Sequence, residues 1–199
     1  MKITSIKQQV KRAGRYSIFV DDKYVFSLSE TALLESQLAS GQELTAGQVR
    51  QFKQLSGEDR LYNQTLRYVA MRLRSRWEIE QYLGRKKASP PLVEQILNKL
   101  SIVGMVDDSK FAEAYVSTRR LLRPAPRRKM IAELRAKRVP GEIIERAVGQ
   151  EASDEQAALL AVIERKRRQT KYQDDLKLMQ YLARQGFSYG DIKAALAAD

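Results

Sequence analysis

Six cations, Arg119, Arg120, Arg123, Arg127, Arg128 and Lys129, crowd into eleven positions around Pro124 and Pro126. A guanidinium presents a planar fork of N–H donors that matches phosphate and carboxylate oxygens, so this cluster is suited to gripping an anion rather than to breaking a bond. Arg72, Arg74 and Arg76 form a second cluster, and Arg165, Lys166, Arg167 and Arg168 a third. Arg119 and Arg123 lie four apart, where like charges on a helix repel by roughly a few tenths of a kcal/mol unless an anion lies between them. The plainer alternative for any single arginine is a surface pair with Glu113, Glu133 or Glu164.

Bond-making chemistry finds little support. The chain has no His and no Cys, which removes the commonest general base, the usual zinc and iron ligands, thiolate nucleophiles and disulfides. Neither G-x-x-x-x-G-K-[ST] nor a G-x-G-x-x-G after a strand occurs, so no phosphate-cradling nucleotide loop is announced. The acid pairs Asp107/Asp108 and Asp174/Asp175 could hold magnesium, but adjacent acids ahead of an apolar helix read as caps. No enzyme and no cofactor are expected.

With 199 residues, 43% of them hydrophobic, the chain can build one or two ordinary cores or a stack of small modules with shared interfaces. No apolar run approaches the roughly 18 residues of a membrane helix, and MKITSIKQQV lacks the apolar centre of a signal peptide. A soluble cytoplasmic protein is expected. The net charge of +12 lies entirely in residues 60–138, which hold 19 Lys/Arg against 7 Asp/Glu, while both flanks are nearly balanced. Thirteen of those 19 are arginine, which favours a localised anionic partner over an evenly solvated surface. Tyr62, Tyr68, Trp77, Tyr82 and Tyr115 could stack on bases, but their helical spacing reads as core.

The elements that must carry these residues follow from periodicity and punctuation. Tyr16, Ile18 and Val20, then Tyr24, Phe26 and Leu28, alternate across a polar turn as a β-hairpin, with a third short strand in 3–10. Ser29 caps a short helix bearing Leu33, Leu34 and Leu38 that Gly41 ends, and Thr45 with Gln48 forms a capping box ahead of Val49, Phe52 and Leu55. A break is expected near Gly57. Beyond it Leu83, Leu134 and Leu182, separated by 51 and 48 residues, mark one register position in three helical repeats. Each repeat opens with a helix (Leu66, Val69, Leu73; Phe111, Tyr115, Leu122; Leu159, Leu160, Ile163), passes through the marker leucine and ends on a third helix. Asp107 and Asp108, Ser75 with Glu78, Ser153 with Gln156, Ser89 before Pro90, and Ser188 supply starts, while Pro124 and Pro126 separate two helices. The expected fold is mainly α: tandem three-helix repeats (58–106, 107–152, 153–199) forming a curved elongated array, preceded by an N-terminal β-hairpin/helix module (1–57). The three basic clusters then fall near equivalent junctions, so stacking would align them in a stripe.

The stretches LRYVAMRLRSRWEIEQYL, GMVDDSKFAEAYVSTRRLLRP and LMQYLARQGFSYGDIKAAL resemble the RecX family, bacterial regulators of the RecA recombinase, and RYSIFVDDKYVFSLS resembles the hairpin ahead of the repeats in part of that family. Lys87, Arg138 and Pro126 stand where glycine is frequent in the family; Gly186 keeps it. The resemblance implies a non-enzymatic protein that binds the RecA filament on single-stranded DNA, lies along its groove and reduces ATP hydrolysis, strand exchange and filament extension. It places the chain in homologous recombination, DNA repair and the SOS response, with RecA, single-stranded DNA and, further, double-stranded DNA as partners. A monomer is expected because the array is closed by its own chain, and no membrane partner is expected because no apolar run is long enough. The basic surface carries over as the expected contact: Arg72, Arg74, Arg76, Arg119, Arg120, Arg123, Arg127, Arg128, Arg165, Lys166, Arg167 and Arg168. A general DNA-binding helical-repeat protein is the alternative.

Overall fold

A computed structural model describes residues 1–149 and 152–197, with the side chains of 152–154 outside that set. The expected Ser153 and Gln156 cap therefore lies partly outside the described residues. The chain divides into two compact units, residues 1–71 with 88–96 and residues 72–87 with 97–199.

In the first unit, alternating side chains build an antiparallel sheet, β1 (Ile3–Gln8), β2 (Arg15–Val20) and β3 (Lys23–Ser29), in the order β1-β2-β3. Asp21 and Asp22 form the two-residue β2–β3 turn with φ of 48° and 62°, the left-handed pair that a tight hairpin requires and that Asp tolerates. Ile18, paired with Phe26 across the strands, joins Ile3, Val20 and Leu28 on one buried face. That face is covered by Ala32 of α1 (Glu30–Ser36), by Leu38 and Leu44, and by Val49 of α2 (Ala46–Ala70). Phe26 stacks on Phe52 at 5.8 Å.

Ser29 caps α1 as expected, accepting from the Ala32 N–H. The helix ends earlier than Gly41, however, at Gln37 with φ of 51°, so Leu38 joins the core from the following loop. Thr45 and Gln48 form the full capping box. From there α2 runs unbroken through Gly57 to Ala70. A single exposed glycine costs a helix roughly 1 kcal/mol, too little to stop one that is anchored along its length. The anchor is a buried polar network. Arg15 donates to Asp59 Oδ2 at 2.9 Å, to Ser27 Oγ at 2.9 Å and to the Ser27 carbonyl at 2.8 Å; Ser29 donates its N–H to Asp59, and Asn63 donates to Asp59 Oδ1.

The second unit contains α3 (Arg76–Arg85), part of α4 (Pro90–Ile102), and two complete three-helix repeats. α5 (Asp108–Leu122), α6 (Arg127–Ala136) and α7 (Gly141–Val148) close around Phe111, Val116, Met130, Leu134, Ile144 and Val148. Around Leu159, Ile163, Leu178, Leu182, Phe187 and Ile192 close α8 (Ala152–Arg167), α9 (Asp175–Gln185) and α10 (Tyr189–Ala197). Leu83, Leu134 and Leu182 are all 0% exposed, so the register they marked is the register of the fold. Leu73, Leu122 and Leu160 are instead exposed. Leu73 lies beyond the end of α2, and Leu122 is the last residue of α5, where the chain turns away towards Pro124.

Asp107 and Asp174 cap α5 and α9, accepting from the Lys110 and Lys177 N–H groups at 3.1 Å. Ser188 accepts from Asp191 N–H. The second helix of each repeat ends on a left-handed residue at one register position: Lys87 (φ 59°), Arg138 (φ 54°) and Gly186 (φ 100°). In the later two the N–H groups of Val139 and Phe187 reach back to the marker carbonyls of Leu134 and Leu182, the closing bond of a Schellman motif. Pro126 belongs to a different class: its φ of −63° and ψ of 152° place it as the extended residue before α6.

Candidate functional site

Glu78 begins as a local cap. In the third position of α3 its carboxylate accepts from Ser75 N–H while Ser75 Oγ accepts from Glu78 N–H. The same carboxylate receives both ends of the Arg72 fork at 3.1 Å and Lys137 Nζ at 2.9 Å. Burial alone would raise its pKa, but the hydrogen bonds and charges of Arg72 and Lys137 outweigh burial and hold it at about 2. Ser75 Oγ donates to the Lys137 carbonyl at 3.1 Å, and Arg76 N–H donates to Asp108 Oδ1 at 2.8 Å. Burial pushes the Asp108 carboxyl up, with the Arg76 bond opposing. The start of α3 is thereby tied to α5 and to the end of α6.

Several members of the remaining clusters are tied inward as well. Arg119 grips Glu133 with two bonds, at 3.0 and 2.6 Å, and Tyr115 Oη donates to the same carboxylate at 2.7 Å. Burial and the facing Glu133 push the Tyr115 hydroxyl up to about 12. Glu133 thus supplies the anion that Arg119 meets within the fold, while Arg123 has no such partner among the described residues. Arg120 donates to the Val148 carbonyl at 2.8 Å; Arg127 donates to the Gly149 carbonyl at 2.9 Å and pairs with Glu145. Both hold the exit of α7. Arg167 pairs with Asp175 at 2.6 Å and reaches the carbonyls of Tyr172 and Gln173, while Lys166 lies over the Tyr172 and Tyr181 rings at 5.0 and 4.6 Å. Arg165 makes one long contact to the Leu122 carbonyl, at 3.5 Å. Arg76 pairs with Glu80 on a half-buried face and Arg168 with Glu164 on an exposed one, contacts of little energetic weight. Arg74 is half-buried and also engaged.

Of the twelve cations singled out in the sequence, Arg123 and Arg128 are exposed and have no side-chain partner among the described residues. Other exposed cations share that condition and were not anticipated, among them the six Arg85, Lys87, Arg135, Arg138, Arg146 and Arg184. Five of these follow a marker leucine by one to four residues, a signal present in the register but hidden by the denser runs elsewhere. Between α5 and α7 opens a shallow groove of about 450 Å³. Arg120 and Arg146 flank it, and Leu121, 80% exposed, forms part of its wall. Trp77 is half-buried with its indole N–H enclosed and unpartnered, and Tyr62, Tyr68, Tyr82 and Tyr115 are half-buried. Among the described residues no helix is long and apolar enough to cross a membrane, and no group of acids stands together as a metal site.

Comparison with known proteins matches four successive family descriptions to the chain: the regulatory protein RecX N-terminal domain at residues 1–45, and the RecX first, second and third three-helix domains at 62–100, 107–148 and 153–196. A regulatory protein RecX of Listeria monocytogenes is 33% identical over 201 residues, covering 98% of this chain and 74% of the relative. One from Bacillus subtilis is 30% identical over 199 residues, covering 98% and 75%. A crystal structure of a regulatory protein RecX superposes with a TM-score of 0.77 at 27% identity over 98% of both chains. The crystal structure of RecX from Lactobacillus salivarius shares the fold, with a TM-score of 0.59 at 23% identity over 71% of this chain and 95% of its own.

Proposed function

Because this chain belongs to the RecX family of regulatory proteins, we propose that it binds the RecA filament on single-stranded DNA and restrains ATP hydrolysis, filament extension and strand exchange. It acts without catalysis of its own, as a monomer in the cytoplasm. The observation that carries this reading is the confinement of the whole +12 excess to residues 60–138, together with exposed cations there that no internal acid neutralises. Arg123 and Arg128 are the members of the predicted set most open to an external anion. Of the other ten, Arg72, Arg119, Arg120, Arg127 and Arg167 first hold the fold, Arg74 and Lys166 are engaged with neighbours, and Arg76, Arg165 and Arg168 make contacts of little weight; all ten add to the positive field. The α5–α7 groove, lined by Val116, Leu121 and Ala147 with Arg120, Arg146 and the acid Glu113 beside them, suits a protein contact beside a nucleic-acid contact.

A general DNA-binding protein is the competing reading. The two separate when RecA-driven ATP hydrolysis is followed at physiological salt with the protein far scarcer than the DNA. Inhibition at that ratio is expected, since a filament regulator need not cover the lattice. Inhibition only when the DNA is saturated would establish simple competition.

A further inference from the structure

At one register position, the left-handed residue that ends the second helix, the third repeat uses Gly186 whereas the first two use Lys87 and Arg138. A residue with a side chain is less stable than glycine in that backbone conformation. Backbone strain kept at two equivalent places points to a use for the side chains there. Both are cations. Both are exposed and unpaired among the described residues, unlike most of the basic clusters. Arg85 and Arg135, equally exposed and unpaired, lie within three residues of them.

We infer that Lys87 and Arg138 are a repeated pair of phosphate contacts, each turn offering one cation to the backbone of a single-stranded nucleic acid. This rests on the filament reading above and adds to it a contact that lies outside the predicted arginine clusters. The turns favour a phosphodiester over an acidic protein surface. A polymer that presents identical charges at regular intervals can use identical cations one repeat apart. No exposed large hydrophobic residue falls within 84–91 or 135–142, whereas protein interfaces gather such anchors.

The full-length double variant Lys87→Gly with Arg138→Gly tests this by predicting effects of opposite sign. Relief of two left-handed side chains should raise the melting temperature by a few degrees. Loss of two phosphate contacts should shallow the log K against log salt slope for a labelled oligothymidylate by about 1.4. The charge-retaining double variant Lys87→Arg with Arg138→Lys should keep the parent slope. A stabilised Gly variant with the parent slope would overturn the inference, leaving the turns as strain without use. So would a parent slope combined with weakened binding to RecA filaments, which would make the partner an acidic protein surface. Loss of slope in the charge-retaining variant would overturn it as well, because turn shape and not charge would then be read. Should the parent chain fail to restrain RecA while the slope change is found, the filament reading falls and the phosphate contacts stand.

Discussion

Lys137 and Glu78, 59 residues apart in sequence, meet at 2.9 Å, and one repeat further on Lys129 and Gln185 meet at 2.7 Å in the same two register positions. Position 78 corresponds to 129 and position 137 to 185, by the 51- and 48-residue offsets that separate the marker leucines. The beginning of one second helix thus grips the end of the next by a side-chain hydrogen bond at both junctions. At the first junction that bond is ionic; at the second it joins a cation to a neutral amide.

The ionic junction should be visible as acid sensitivity. Glu78 is held at about 2, against a usual value near 4.5, so its contribution is fully present above pH about 4.5 and is lost as pH falls towards 2. At full weight that shift is about 3 kcal/mol; Arg72 is 52% exposed and screened by solvent, which reduces it to on the order of 1 to 2 kcal/mol. Urea melts of the parent and Glu78→Gln should differ by that amount at neutral pH and converge near pH 2. A gap that persists at pH 2 would assign the loss to packing instead.

Leu134→Ala should destabilise the protein by about 2 to 5 kcal/mol, because the side chain is fully enclosed. Leu122→Ala, at a site 63% exposed, should change stability by less than about 0.5 kcal/mol. Denaturant melts followed by circular dichroism would compare the two directly. Equal effects would show Leu122, at the end of α5, to be as enclosed as Leu134 of α6.

Gly57→Ala should stabilise α2 by about 1 kcal/mol, since an added Cβ there meets nothing within 4 Å and the residue is helical. Arg15→Met should cost about 3 to 5 kcal/mol by leaving the Asp59 carboxylate buried without its cation. The same orphaning follows from deleting residues 1–55, which also removes the first ten residues of α2. The truncated chain should therefore lose stability in the remainder of α2, read as helical signal lost beyond that of the deleted residues.

Arg123→Ala with Arg128→Ala should leave the melting temperature unchanged, as neither side chain has a partner among the described residues. If these residues meet single-stranded DNA, the salt slope should shallow by about 1.4. Arg119→Ala should instead lower stability, because it strips a two-bond partner from Glu133 and Tyr115. A destabilised Arg123/Arg128 variant would show that those two are structural as well.

The repeats were legible because Leu83, Leu134 and Leu182 obey a spacing that burial enforces, and the caps at Asp107, Thr45 and Ser75 were legible because they act within three residues. Glu133 and Glu164 were legible as acids able to pair with single arginines of the clusters, and Arg119 and Arg168 do pair with them; which arginine meets which acid was not legible. Arg119 finds Glu133 14 residues away, Arg127 finds Glu145 at 18, and Arg15 finds Asp59 at 44; no periodicity announces such pairs, since folding alone brings them together. The continuous α2 was hidden for the same reason, its tolerance of Gly57 depending on a network that begins in β2. Lys87 and Arg138 kept the turn that glycine usually makes, showing that position in the repeat, more than residue type, sets the backbone there.

The two junction bonds also bear on how the chain could have grown. If the second repeat were duplicated in place, the new copy would bring its own Lys137 against Lys129, setting two ammonium groups where the present molecule has an acid or an amide opposite each lysine. Such a duplication would begin with a repulsive seam and would need a charge reversal before it could spread. Repeat number is therefore guarded at the seams, and lengthening this protein would require altering a contact residue together with adding helices.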